Sequence, residues 1–159
     1  MIIRNQVDDA EFLTWLAIES KRYWGYPDSW IQEWRPILTI RPESIVSYET
    51  FSKLVGKEVV GFYQLNAIEE PAQLKHLWVL PNKIGTGIGR ELFTHAVDRA
   101  VVLDRHYIHI HADPNARGFY EKMTAELIGF APSVVQEIAR EVPIMEFRCP
   151  EVYPQINTD

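Results

Sequence analysis

The chain has 159 residues with a formal charge of −6, so it is long enough for one domain with a full core, and its acid excess argues against a general nucleic-acid binder. A single cysteine, Cys149, excludes an intrachain disulfide and a cysteine-rich zinc site, and it fits a reducing, cytoplasmic setting. No apolar run approaches the ~20 residues of a membrane span, and Met1 to Arg4 is too short for a signal-peptide core.

Residues 2–7 read as a short strand. Asp8 or Asp9 caps a helix with Phe12, Trp15, Leu16 and Ile18 roughly on one side, and Trp15 is expected to pack on the sheet. Gly25 and Pro27 break that helix, and Asp28-Ser29 start a second one ending near Pro36. Residues 45–55 and 59–66 read as strands joined by a Gly56-Lys57 turn. Gln73 to Leu80 is a third strand in this run. Ile88, Leu92, Ala96 and Ala100 recur every four residues, so 88–102 is a helix packed on a sheet. Tyr107 to His111 alternates as a strand. Asp113-Pro114-Asn115 opens a further helix, and strands near 126–130 and 143–149 close the order β-α-α-β-β-β-α-β-α-β-β. This makes an α/β domain over 1–150 with mixed pairing, leaving 151–159 as a C-terminal tail.

Between the strand at 73–80 and the helix at 88–102 lies Ile84-Gly85-Thr86-Gly87-Ile88-Gly89-Arg90. Glycines let a backbone approach a ligand closely, and the free amides of a helix N-terminus favour a phosphate. A P-loop is excluded because Arg90-Glu91 stands where Lys-Ser belongs. A dinucleotide fingerprint fails because Arg90 takes the place of its last glycine. A tight turn without any ligand needs only one glycine.

The segment Leu77-Trp78-Val79-Leu80-Pro81-Asn82-Lys83-Ile84-Gly85-Thr86-Gly87-Ile88-Gly89-Arg90 resembles the cofactor motif of the GNAT superfamily of N-acetyltransferases. Asp113-Pro114-Asn115-Ala116-Arg117-Gly118-Phe119-Tyr120-Glu121-Lys122 is similar to that family's second motif, at the expected distance downstream. The resemblance covers residues 44–130. It implies a central mixed sheet of six to seven strands flanked by about four helices, with a splay between the fourth and fifth strands. It also implies acetyl-CoA as cofactor, with its diphosphate on the amides of Gly85 to Arg90 and its pantetheine along Leu77, Trp78 and Val79. Lys83, Ile84, Asn115 and Phe119 join the cofactor set. A main-chain amide near Val79 serves as the oxyanion donor, and Tyr120 protonates the leaving thiolate. Two departures stand out. Ile84 occupies the place of a phosphate-binding Arg or Gln, and Asp113 replaces an Asn, either to orient the pantetheine or to cap the helix.

The resemblance places the acceptor beneath the helix-loop-helix rich in aromatics, with Tyr23, Trp24, Tyr26 and Trp30 as substrate-binding residues and Asp28 or Glu33 paired with the amine. No base is evident. Gln73, Lys75 and His76 occupy the strand before the motif, and His109 and His111 share a face of the next strand. These two histidines fit no metal spacing, and no metal site is expected. The expected activity is direct transfer of an acetyl group to a primary amine of a small molecule or peptide. The alternative is a non-catalytic acyl-CoA-binding or sensor module. A homodimer through the last strands or a sheet edge stays open.

Overall fold

The computed structural model describes residues 1–151; the expected tail lies outside them apart from Glu151. One sheet contains β1 (Ile2–Arg4), β2 (Glu49–Val55), β3 (Glu58–Asn66), β4 (Ala72–Val79), β5 (Tyr107–His111), β6 (Glu126–Val135) and β7 (Ile138–Arg148). Its order is β1-β2-β3-β4-β5-β7-β6, and only β4 and β5 pair in parallel. The helices are α1 (Ala10–Arg22), α2 (Asp28–Leu38), α3 (Pro42–Ser47), α4 (Ile88–Val102) and α5 (Arg117–Lys122).

Residues 60–66 of β3 are buried throughout, because helices cover both faces of the sheet. α4 lies against one face. A Cβ on Gly61 would come within 3.0 Å of Leu92, so glycine permits the close approach. Leu92 and Phe93 are fully buried there, each worth about 2 kcal/mol of apolar burial. Strand alternation puts Phe62 and Gln64 on the other face, where Gln64 donates to Ser44 of α3. Trp78 of β4 packs on that same side, against the Ile18, Ile31 and Trp34 cluster of α1 and α2.

Four sequence expectations need correction. The buried residues of α1 are Ala10, Leu13, Leu16, Ala17, Ile18 and Ser20, so Leu16 and Ile18 of the expected face are inside. Phe12 and Trp15 lie on the opposite side, exposed, with their rings 5.5 Å apart. Trp15 therefore does not pack on the sheet. Residues 42–47 form α3, so 45–47 are helical rather than the start of a strand, since Pro42 sits at the first turn and Tyr48 N bonds Ser44 O. Among the described residues five helices thus flank the sheet. Finally, β6 and β7 run on to Val135 and Ile138, forming a long hairpin in place of two short strands. Its turn is made by Gln136 and Glu137, both at positive φ without glycine or asparagine, so the usual hairpin signature is missing. Val135 and Gln136 at its tip dock on α2, with Gln136 N bonded to Glu33 at 3.0 Å.

β4 and β5 pair only at Ala72 with Ile108 and Gln73 with His109. A bulge at Lys75, where the β3–β4 register shifts, adds local twist, and the strands part beyond it. The splay expected between the fourth and fifth strands is this gap.

Candidate active site

The gap opens into a cleft of about 510 Å³, walled by β4, the glycine loop, the end of β5 and α5. Leu80 N bonds Val60 O, so strand alternation turns the amides of Leu77 and Val79 away from β3 and toward the gap. Val79 O also points off β3 and accepts Ser20 Oγ at 2.9 Å, which ties the end of β4 to α1.

The loop that follows is built for close approach. Gly85 and Gly87 have φ of 84° and 88°, and Gly87 caps α4 in the left-handed region. The first α4 amide with a backbone acceptor is that of Glu91, on Gly87 O. Among the described residues the amides of Gly85 through Arg90 have no acceptor, which leaves a helix N-terminus suited to an anion. At Gly89 a Cβ would lie 3.3 Å from the Phe119 ring, so glycine lets that ring close over the first turn of α4. Lys83 and Arg90 line the cleft beside the loop, as does the exposed Ile84. Thr86 turns its hydroxyl back onto Lys83 O, and the Ile88 side chain is buried in the core. Neither of these two lines the cleft.

Across the cleft, Phe93 and Phe119 pack on Tyr120, which is buried and lines the cavity. Its hydroxyl has no hydrogen-bond partner among the described residues. Burial, then the Asp113 charge, pushes its pKa well above the usual phenol range, so it holds its proton at neutral pH.

A second cavity of about 720 Å³ lies on the α2 and α3 side and shares Leu74, Lys75, His76, Trp78, His111, Ala112 and Asp113 with the first. Trp78 donates its indole N–H to Nδ1 of His76 at 3.0 Å. Burial, then Lys75, pushes the His76 pKa down to about 4. His109 sits 2.7 Å from Glu146, outside both cavities, whereas His111 lines both.

Asp113 caps the turn that leads to α5, accepting from Asn115 N at 2.8 Å. It also takes the Lys21 ammonium and the Tyr26 hydroxyl at 2.9 Å. Burial alone would raise its pKa, but the Lys21 charge and these bonds outweigh it and hold the carboxyl below its ordinary value. Burial, then Asp113, pushes the Tyr26 pKa up to about 12. Asn115 lines the first cavity and donates to Tyr26.

The four aromatic candidates separate. Trp24 lines the first cavity, while Tyr23 is exposed against its edge. Tyr26 and Trp30 stack on each other at 5.8 Å and face Arg140, which lies 5.2 and 5.6 Å from the two rings. Lys21 lies over Tyr26 and Trp34. These rings hold the chain's own cations rather than standing free for an amine. Asp28 lines neither cavity, and Glu33 is bonded to Gln136. Sequence reasoning missed Lys21, Arg140 and the His76–Trp78 bond. Only the last left a trace, as two polar-capable rings on one face of a strand.

No group of His, Cys, Asp and Glu suited to a metal occurs among the described residues. No described helix is long and apolar enough to cross a membrane.

A family model for the acetyltransferase (GNAT) domain matches residues 42–142. Solved structures agree in fold. The PaiA N-acetyltransferase of Thermoplasma acidophilum, in complex with coenzyme A, superposes with a TM-score of 0.74 at 21% identity, over 93% of this chain and 98% of that one. A GCN5-related N-acetyltransferase of Rhodopseudomonas palustris gives 0.74 at 15% identity, over 93% and 94%. The ribosomal-protein-S18-alanine N-acetyltransferase of Escherichia coli gives 0.68 at 16%, over 98% and 97%. A search of curated proteins finds no match. With the family model spanning well over half of its length, this chain belongs to the GNAT family of acetyltransferases.

Proposed function

We propose that the protein transfers an acetyl group from acetyl-CoA directly to a primary amine, with Tyr120 as general acid. One observation carries the reading: the splay joins free β4 amides, a helix N-terminus of unbonded amides and a neutral buried phenol in one cleft. The residues present fit coenzyme A. Gly85 through Arg90 offer donors to a diphosphate, with Lys83 and Arg90 supplying the charge that Ile84 does not. The open edge of β4 offers Leu77 and Val79 to an extended amide-bearing arm, and Phe119 closes the slot.

Bound there, acetyl-CoA supplies an activated acetyl thioester. The Val79 amide is placed to stabilise charge on a carbonyl oxygen. The Tyr120 hydroxyl holds the proton that a departing sulfur needs. In this reading the amine enters through the second cavity, on the far side of the gap. No nucleophile need intervene, because Cys149 lines neither cavity and burial pushes its pKa up to about 11.

The test is release of free coenzyme A from acetyl-CoA on adding a panel of amines, run beside calorimetry with acetyl-CoA. Amine-dependent release supports the transferase. Binding without release by any amine favours the non-catalytic module, and no binding removes the reading.

A further inference from the structure

The second cavity carries an unbalanced charge. Arg41 before α3, Lys75 on the β4 bulge and Arg140 on β7 all line it, and none has a carboxylate partner among the described residues. The Lys75 ammonium rests over the Tyr48 ring at 5.7 Å, and Arg140 donates to the Tyr26 hydroxyl at 3.0 Å. Among the described residues the one carboxylate in the wall, Asp113, is already taken by Lys21, Tyr26 and Asn115. In a protein of charge −6, this is a locally positive groove.

Such a groove repels a purely cationic amine and attracts one that brings an anion of its own. Guanidinium groups in particular match a carboxylate's two oxygens. The same field favours the neutral, nucleophilic form of a bound amine over its ammonium. That matters in a site where His76 has its Nδ1 occupied by Trp78.

We infer that the acceptor is an amine bearing its own carboxylate, in the manner of a small amino acid, with Arg41, Lys75 and Arg140 as the residues that select it. The inference rests on the transferase reading above and names its acceptor class.

Matched pairs that differ in the carboxylate test it: butylamine against 4-aminobutanoate, and 2-phenylethylamine against L-phenylalanine, with putrescine as a dicationic control. The carboxylate member of at least one pair is expected to show kcat/KM about tenfold higher or more, the worth of one charged hydrogen bond. Arg41→Gln and Lys75→Gln are expected to erode that preference through KM, and Lys75→Glu to turn it toward putrescine. Preference for putrescine or the neutral amines, or a carboxylate preference untouched by all three substitutions, overturns the inference. Calorimetry supplies a readout without turnover: N-acetylphenylalanine binds with coenzyme A present, and N-acetyl-2-phenylethylamine binds at least about tenfold more weakly. Equal or reversed binding counts against it. If acetyl-CoA itself fails to bind, the transferase reading falls first, and the two failures are told apart.

Discussion

The indole N–H of Trp78 and Nδ1 of His76 lie 3.0 Å apart, and the bond uses the one ring lone pair that a neutral imidazole has to give. The other nitrogen of His76 must then carry the hydrogen, so this residue can take up a proton only by giving up Trp78. Its pKa, pushed down to about 4 by burial and then Lys75, agrees. On the proposed reaction His76 is therefore expected to position Trp78 between the two cavities rather than to act as the base.

From this, His76→Gln is expected to lower kcat less than about tenfold, well short of the 10²–10⁴ that a true base contributes. Its pH–rate profile above pH ~6 keeps the wild-type shape, since His76 titrates well below that range. A hundredfold fall with the acidic limb removed would restore His76 as a base.

Tyr120→Phe keeps the ring between Phe93 and Phe119 and deletes only the hydroxyl. Turnover is expected to fall by about 10²–10³ while the Kd for acetyl-CoA holds. Steady-state kinetics and calorimetry on the same preparation check both halves. An unchanged kcat removes the phenol from the chemistry.

Gly87→Ala puts a Cβ on a residue at φ 88°, at a cost of about 1–2 kcal/mol whether or not space is available. It also disturbs the amides at the start of α4, so acetyl-CoA affinity is expected to drop about tenfold or more. Gly56→Ala, at φ 61° in the β2–β3 turn, carries similar strain away from the cleft. It serves as the control, with a lower Tm and unaltered affinity. Equal affinity loss in both variants would mean that strain alone was responsible.

Asp113→Asn leaves Lys21 in place without its anion, both side chains being largely buried. The expected loss is about 3 kcal/mol at pH 7. The folded pKa of Asp113 lies below its unfolded value near ~4, so its contribution is complete above that value and fades as pH falls through the folded one. Urea unfolding at pH 7 and pH 3 should therefore show the gap between wild type and variant narrowing in acid. A gap independent of pH would point to packing rather than charge.

What could be read from the chain depended on how local the cause was. The bounds of α4, Ile88 to Val102, follow from a four-residue apolar repeat behind a glycine, both written in adjacent residues. Strand β5 was equally plain. The helix α3 was not, because Ile45 and Val46 favour a strand locally and are held helical by Pro42 and a bond to Ser44. Trp15 was misplaced because hydrophobicity says which residues seek burial, not which side of a helix finds it. The aromatic lid shows the limit best. Tyr26 and Trp30 read as rings awaiting a ligand cation, and the cation they meet is Arg140, more than a hundred positions away on a hairpin whose turn carries no glycine. The glycine loop was legible as a helix start with open amides; the positive charge of the groove behind it was spread over β4, β7 and the lead into α3.

The break between β4 and β5 gives the molecule two doorways, one among α4 and α5 and one beneath α2 and α3, that meet at a common wall. On the proposed transfer, neither reactant would have to back out before the other enters. Traffic of this kind would give intersecting rather than parallel lines in double-reciprocal plots. It would also let either product depart by its own exit, leaving the slower exit, and not the reaction between the strands, to set the pace.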